Sequence, residues 1–269
     1  MKTIRAVISL KCFKNGIVPL QGLLESLEAI HHSCRIRNVW NEWSLPKIVS
    51  SQKKELSNKI LNEYESKKVL AKHGFSTPVS FMVTAEKVLS AAKEIGYPVV
   101  IKVITEDLLH KTEVGGVELN LRNESEVELA LSRMKGLGKF FLVEEMITDS
   151  VAEIILGVSV DAKFGLTMTI GAGGIFAELL DDKITFMLPI SRLHVSRAIN
   201  KLRINTLLKG WRGRSLGDTE SLIDSVLNLA NFVESHIDSL VECEINPLIV
   251  RNLGEKAIVV DALIILKEN

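Results

Sequence analysis

The stretch LVECEINPLIVRNLGEKAIVVDA, residues 240–262, leaves this chain little conformational choice. Apolar and polar residues alternate from Leu240 to Asn246, which marks a half-buried strand with Glu242, Glu244 and Asn246 on one face. Pro247 lacks a backbone donor and suits a strand start or an edge. Asn252-Leu253-Gly254-Glu255 reads as a hairpin turn. A turn centred between Leu253 and Gly254 sets Asn246 opposite Asp261, Leu248 opposite Val259 and Val250 opposite Ala257. The last two pairs match apolar with apolar, which supports the register. Glu244, Asn246 and Asp261 then place hard oxygen donors on one face, a set suited to Mg²⁺ shared with phosphates. The plainer alternative is a solvated acid pair. Asp261 ends the apolar run AIVV, however, and a carboxylate buried there needs compensation. That favours the metal.

Upstream, from about Ser57, short apolar runs alternate with helical spacing, an α/β pattern. Ile60, Leu61, Tyr64, Val69 and Leu70 predict one helix stopped by Gly74. A second follows Thr84 and ends at Gly96. Asn123 and Glu126 have capping-box spacing before a third. Helices are also predicted over 191–202 and 219–235. Strands are predicted over 98–103, 140–143, 153–160, 166–170, 240–245 and 257–260. Residues 1–50 differ. They hold Trp40, Trp43, Cys12 and Cys34, with helical spacing from Leu20 to Ile36, and the polar stretch 44–57 reads as a linker.

Composition narrows the function classes. The chain has 269 residues, one or two domains at about 150 each. Its 33 basic and 33 acidic residues balance, which argues against a nucleic-acid binder. Hydrophobic residues at 46% exclude disorder. Three cysteines without a CxxC pair argue against a disulfide framework or a cysteine-rich zinc site. The chain shows neither a good signal peptide nor an apolar run of about 18 residues, so the expectation is a cytoplasmic protein with no membrane partner. There is no P-loop, HExxH, GxSxG or EF-hand motif. Gly171-Ala172-Gly173-Gly174-Ile175-Phe176 starts like a Rossmann fingerprint but puts Phe176 where the last glycine belongs.

Three further constellations carry possible chemistry. Lys102 interrupts the strand PVVIKV and precedes His110-Lys111 and Gly115-Gly116. Paired glycines let backbone N–H groups close over phosphate oxygens, and lysines would neutralise them. The alternative is a glycine hairpin with exposed lysines. Glu144-Glu145 ends a strand, either as a solvated turn or as an acceptor for a ribose or metal, and Glu153 opens the next. Gly171 to Gly174, with Glu178, follows the strand LTMTI, where a ligand or a backbone approaches closely.

These stretches in this order resemble the ATP-grasp domain of the ADP-forming acetyl-CoA synthetases, with succinyl-CoA synthetase β subunits more distant. The matching pieces are PVVIKVITEDLLHKTEVGGVELNL, LVEEM, EIILGVSVDAKFGLTMTIGAGGIFAELL, LLKGWRGR and ECEINPLIVRNLGEKAIVVDALI, within 57–266. The resemblance implies a two-lobed α/β (α+β) ATP-grasp fold over 51–269, with a small lobe of about 76–141 and a large lobe of about 142–269 that includes helix 57–73. Residues 1–50 would be a short helical segment resembling the last strand and helix of a CoA-ligase domain, plus a linker. It implies that ATP or ADP binds through Lys102, Lys111, Gly115, Gly116, Glu153, Gly173 and Gly174, with Glu144, Glu145 and Met146 as the adenine hinge. Mg²⁺ would sit on Glu244, Asn246 and Asp261. Arg212 and Arg214 would lie near the phosphoryl path, and His110 would be the phosphorylated histidine. The implied activity is an ADP-forming acyl-CoA ligase β subunit that needs a CoA-binding α subunit, in a hetero-oligomer such as α2β2. A catalytically weak ATP-binding scaffold is the alternative, because Met187 stands where an arginine is expected. Glu144, where glutamine is more usual, and Ala162 and Leu166, which replace prolines, are further departures.

Overall fold

The computed structural model describes residues 6–20, 22–41, 57–105, 115–161, 163–174 and 181–268. The chain separates into two units, Met1–Leu45 and Pro46–Asn269. The first holds α1 (Ala6–Lys14) and α2 (Leu23–Asn41), so the helical spacing from Leu20 to Ile36 does form a helix. Among the described residues, 17–20 carry no strand ahead of α2. Leu23, Leu24 and Leu27 on α2 are exposed.

The second unit opens with β1 (Asn58–Leu61) and α3 (Glu63–Lys72). Ile60 and Leu61, expected on the helix, belong to the strand. Asn62 is the reason. Its side chain accepts the Glu65 N–H, and the Glu65 carboxylate accepts the Asn62 N–H. That reciprocal cap starts the helix after Asn62. Gly74, at φ +88°, follows the C-cap His73, as its spacing predicts.

Next come β2 (Ser80–Thr84), α4 (Val88–Ile95), β3 (Val99–Ile104), β4 (Val117–Leu121), α5 (Glu124–Arg133) and β5 (Phe140–Glu145). They build a four-stranded antiparallel sheet in the order β2-β5-β3-β4. Val88, Ala92, Val127 and Met134 from the two helices pack on Val99, Ile101, Val103, Phe141 and Val143. Strand alternation therefore turns Val100, Lys102, Leu142 and Glu144 to the opposite face. Asn123 caps α5 as expected, but Glu126 reaches back to the Arg122 N–H instead of completing the box with Asn123.

The remainder contributes β6 (Ala152–Asp161), β7 (Gly165–Ala172), β8 (Lys183–Met187), α6 (Arg192–Ile199), α7 (Asn205–Leu208), α8 (Thr219–Ser235), β9 (Leu240–Val250), β10 (Ile258–Val259) and β11 (Ala262–Lys267). The larger sheet runs β1-β11-β9-β6-β7-β8, with β10 beside β9. One face buries Ile154, Leu156, Met168, Ile170, Cys243 and Ile245 together with Leu70 of α3, Val195 of α6 and Phe232 of α8. The expected hairpin register holds over most of its length. Leu248 pairs with Val259, and the Asn246 N–H donates to the Asp261 carbonyl at 3.2 Å. The same register continues as Ala262 with Ile245 and Leu263 with Glu244. The expected pairing of Val250 with Ala257 is not made, because β10 begins at Ile258 and the Ala257 N–H turns to Ser221 Oγ. The cysteines are free, and burial pushes the Cys243 thiol up to about 12. Among the described residues no helix is long and apolar enough to cross a membrane.

Candidate functional site

Where the two sheets meet, four charged side chains are buried together. Glu63 and Lys67 lie one turn apart on α3, and Glu144 and Lys102 lie on neighbouring strands β5 and β3. Lys102 Nζ donates to Glu63 Oε1 at 2.5 Å and pairs with Glu144 Oε2 at 3.1 Å. Lys67 Nζ donates to Glu63 Oε1 at 2.7 Å and to Glu144 Oε1. Both ammonium groups also donate to the Val260 carbonyl, at 2.7 Å from Lys102 and 3.2 Å from Lys67. Two cations and two anions balance, which is what makes burial of charge tolerable. Burial pushes the Glu63 carboxyl up, but Lys102 and Lys67 outweigh it and hold it at about 2. Burial pushes Lys102 down, and Glu63, Glu144 and Asp261 more than reverse that.

A pH dependence follows. Glu63 titrates below its ordinary value of 4.5, so its contribution to stability is complete above that pH and is lost as pH falls toward about 2. Denaturant titrations of wild type and Glu63→Gln should differ most at neutral pH and converge in that acid window. A gap that stays constant with pH would remove this role.

Val260 leads directly into Asp261. On the adjoining strand, Cys243 and Ile245 point into the core, while Glu242, Glu244 and Asn246 are half-buried on the other face. Asn246 Oδ1 accepts the Gly174 N–H at 3.2 Å, and Asp261 is exposed. Across from Glu244, on β6, stands Gly157, which leaves room above the carboxylate. Two carboxylates and an amide oxygen on one sheet face fit a hard cation by donor type. Among the described residues no group of three His, Cys, Asp or Glu side chains is placed to hold a metal by itself. A cation here would therefore need ligand oxygens, as a nucleotide supplies.

The glycine cluster is explained by close approach. A Cβ on Gly173 would meet the Ile154 backbone at 2.6 Å, and Gly174, beside the Glu153 carboxylate, has φ +70°, a conformation that side chains rarely adopt. The Gly173 N–H donates to the Glu153 carbonyl. Glu153, half-buried on β6, thus lies against the loop that also touches Asn246. Glu144 is neither a solvated turn nor exposed, whereas Glu145 is exposed. At the hinge, the Glu145 N–H donates to the Val79 carbonyl and the Met146 N–H to the Pro98 carbonyl. Beside it, Ile147, Ile249 and Ile258 form an apolar cluster with Val260. Gly116 is buried, and its carbonyl accepts the Val103 N–H. Gly115, at φ +71°, supplies the turn before it. His110 and Lys111 lie outside the described residues. Arg212 has φ +53° and lies 4.3 Å from the Trp211 ring centroid, and Arg214 is exposed. Glu63 and Lys67 escaped the sequence reading. At i and i+4 on a helix they look like a solvated surface pair.

Two antiparallel sheets, each covered on one face by helices and meeting through buried lysines and carboxylates, define the class, and residues 52–266 match the ATP-grasp domain. The chain belongs to that family. Within it, the β subunit of ADP-forming acetate–CoA ligase II from Pyrococcus furiosus is 33% identical over 215 residues, covering 76% of this chain and 91% of that subunit. The ADP-forming acetate–CoA ligase II of Archaeoglobus fulgidus is 37% identical over 211 residues, 78% of this chain but 31% of that protein. This chain is thus a member of the ADP-forming acetate–CoA ligase β-subunit family. It spans about nine-tenths of a separate subunit and about a third of the longer relatives. A solved dinucleotide-forming acetyl-coenzyme A synthetase of Candidatus Korarchaeum cryptofilum, in complex with coenzyme A and Ca-AMPCP, superposes with a TM-score of 0.70 at 31% identity, covering 78% of this chain and 94% of that one. Another structure of that synthetase, with Mg-AMPPCP and its phosphohistidine segment pointing towards the nucleotide binding site, gives a TM-score of 0.67 at 32% identity over 78% and 93% of the chains.

Proposed function

We propose that this chain is the nucleotide-binding β subunit of an ADP-forming acyl-CoA ligase, working with a CoA-binding α subunit. The net reaction is acyl-CoA, ADP and phosphate giving carboxylic acid, ATP and CoA. The observation that carries this reading is the meeting of Lys102 from one sheet with the Val260–Asp261 segment of the other, within a chain that matches a β subunit over 91% of its length.

In this reading a neutral His110 imidazole attacks the phosphorus of an acyl phosphate on the partner. The P–N bond forms as the P–O bond to the carboxylate breaks. A β-phosphate oxygen of ADP then attacks the same phosphorus and the P–N bond breaks. Little covalent chemistry is left to the protein, so charge neutralisation and positioning dominate. Lys102 and Lys111 neutralise phosphate oxygens, the Gly115-Gly116 turn lets backbone approach them, and Arg212 and Arg214 line the transfer path. Glu144 to Met146 border the base, whose apolar floor is the Ile147, Ile249 and Ile258 cluster. Glu153 and the Gly173-Gly174 loop close the nucleotide side. Glu244, Asn246 and Asp261 would hold Mg²⁺, which supplies further neutralisation of the phosphates when bound.

Mixed with the CoA-binding α part of a related ligase, the chain should form ATP from acetyl-CoA, ADP and phosphate only when both are present. In calorimetry of the chain alone, Asp261→Asn should weaken Mg-ADP binding by about tenfold or more, since even outer-shell partners of a metal cost that much. Unchanged affinity would remove Asp261 from the metal site. Met187, 45% exposed on β8 where an arginine is expected, favours a second reading, a nucleotide-binding scaffold. Mg-ADP binding without ATP formation in the mixed assay would select it.

A further inference from the structure

Lys67 is assigned none of these roles, yet it is 3% exposed on α3 and shares its acceptors with Lys102. The acceptors of Lys102, namely Glu63, Glu144 and the Val260 carbonyl, are each also held by Lys67. An ammonium that leaves this cluster for an anionic ligand therefore leaves Lys67 behind with the two carboxylates. Without Lys67, the same move would strand two buried carboxylates with no cation, a state that costs far more than the pair did. Lys102 would then stay where it is. The geometry points to Lys67 as a positioning residue: it serves as the resident counter-cation of Glu63 and Glu144 and so releases the Lys102 ammonium to the phosphates of a nucleoside diphosphate. The inference rests on the reading of Lys102 as a phosphate ligand. It adds why a second buried lysine, far back on a helix, is needed for that ligand to work.

Charge counting gives the test. When Lys102 leaves, the wild-type cluster keeps one cation and two anions. Lys67→Met keeps two anions alone. Lys67→Met with Glu63→Gln keeps one anion alone, which restores the wild-type net charge. Calorimetric titration of the full chain with Mg-ADP should show Lys67→Met weaker by about tenfold to a hundredfold, the range of a one- to two-unit electrostatic change. The double variant should recover most of that loss. A purely structural Lys67 predicts the opposite, with the second substitution adding to the damage. Wild-type affinity in Lys67→Met, or a double variant as weak as the single, overturns the proposal. If Lys67→Met does not fold, the double variant decides: affinity within about threefold of wild type supports the proposal, and a tenfold loss overturns it. Lys102→Met separates the two layers. Unchanged Mg-ADP affinity there overturns the phosphate reading itself.

Discussion

Glu144→Ala is expected to lower the unfolding free energy by about 3–5 kcal/mol, the cost of breaking a buried ion cluster from one side. The substitution leaves Lys67 and Lys102 facing Glu63 alone, with two ammonium groups buried against one carboxylate. It also removes the acceptor that ties β5 to α3. Its neighbour is the natural control. Glu145 is exposed on the other side of the same strand, and Glu145→Ala should stay within about 0.5 kcal/mol of wild type. Urea denaturation of the two variants checks this. Equal effects at 144 and 145 would mean that the cluster contributes nothing net. A glutamine at 144 would leave the cluster one negative charge short of its two lysines.

The contrast between those two glutamates shows what the sequence can and cannot carry. The hairpin register around Leu248, Val259, Asn246 and Asp261 was readable because it depends on local alternation and one turn. The Gly74 stop, the Asn123 cap and helix 219–235 were readable for the same reason. β1 was not. Its residues Ile60 and Leu61 continue the helical spacing of α3; the Asn62 cap starts that helix after them, and pairing with β11 makes them a strand. Strands β2, β4 and β8 have five residues each, and their patterns are weak without their neighbours. The site divides the same way. Lys102 stood out because it breaks an apolar strand. Glu63 and Lys67 did not, because their burial comes from packing α3 against β3, β5 and the Val260 segment, elements up to 193 residues apart. Gly173 and Gly174 signalled close approach, but not that the approaching group is the β6 backbone and the Glu153 side chain.

The second large effect concerns His110. If the imidazole carries the phosphoryl group, His110→Ala removes the atom that forms the P–N bond, and no neighbouring group substitutes for it. Loss of the covalent nucleophile of a serine protease costs about 10⁶-fold in turnover, which sets the scale. ATP formation in the mixed assay with a CoA-binding α part should therefore fall to background. Mg-ADP affinity should change little, because the lysines and the oxygen face remain. A scaffold that only binds nucleotide gives a different pattern, with no turnover to lose in either protein. Lys102→Met should show the reverse separation from His110→Ala, losing affinity first.

The most direct measurement is acid-labile, base-stable phosphate on the protein after incubation with γ-labelled Mg-ATP. The wild-type chain should take up label that ADP discharges as ATP, and His110→Ala should take up none. Equal labelling of the His110→Ala protein, or no label on wild type even with the α part present, would contradict the phosphohistidine account.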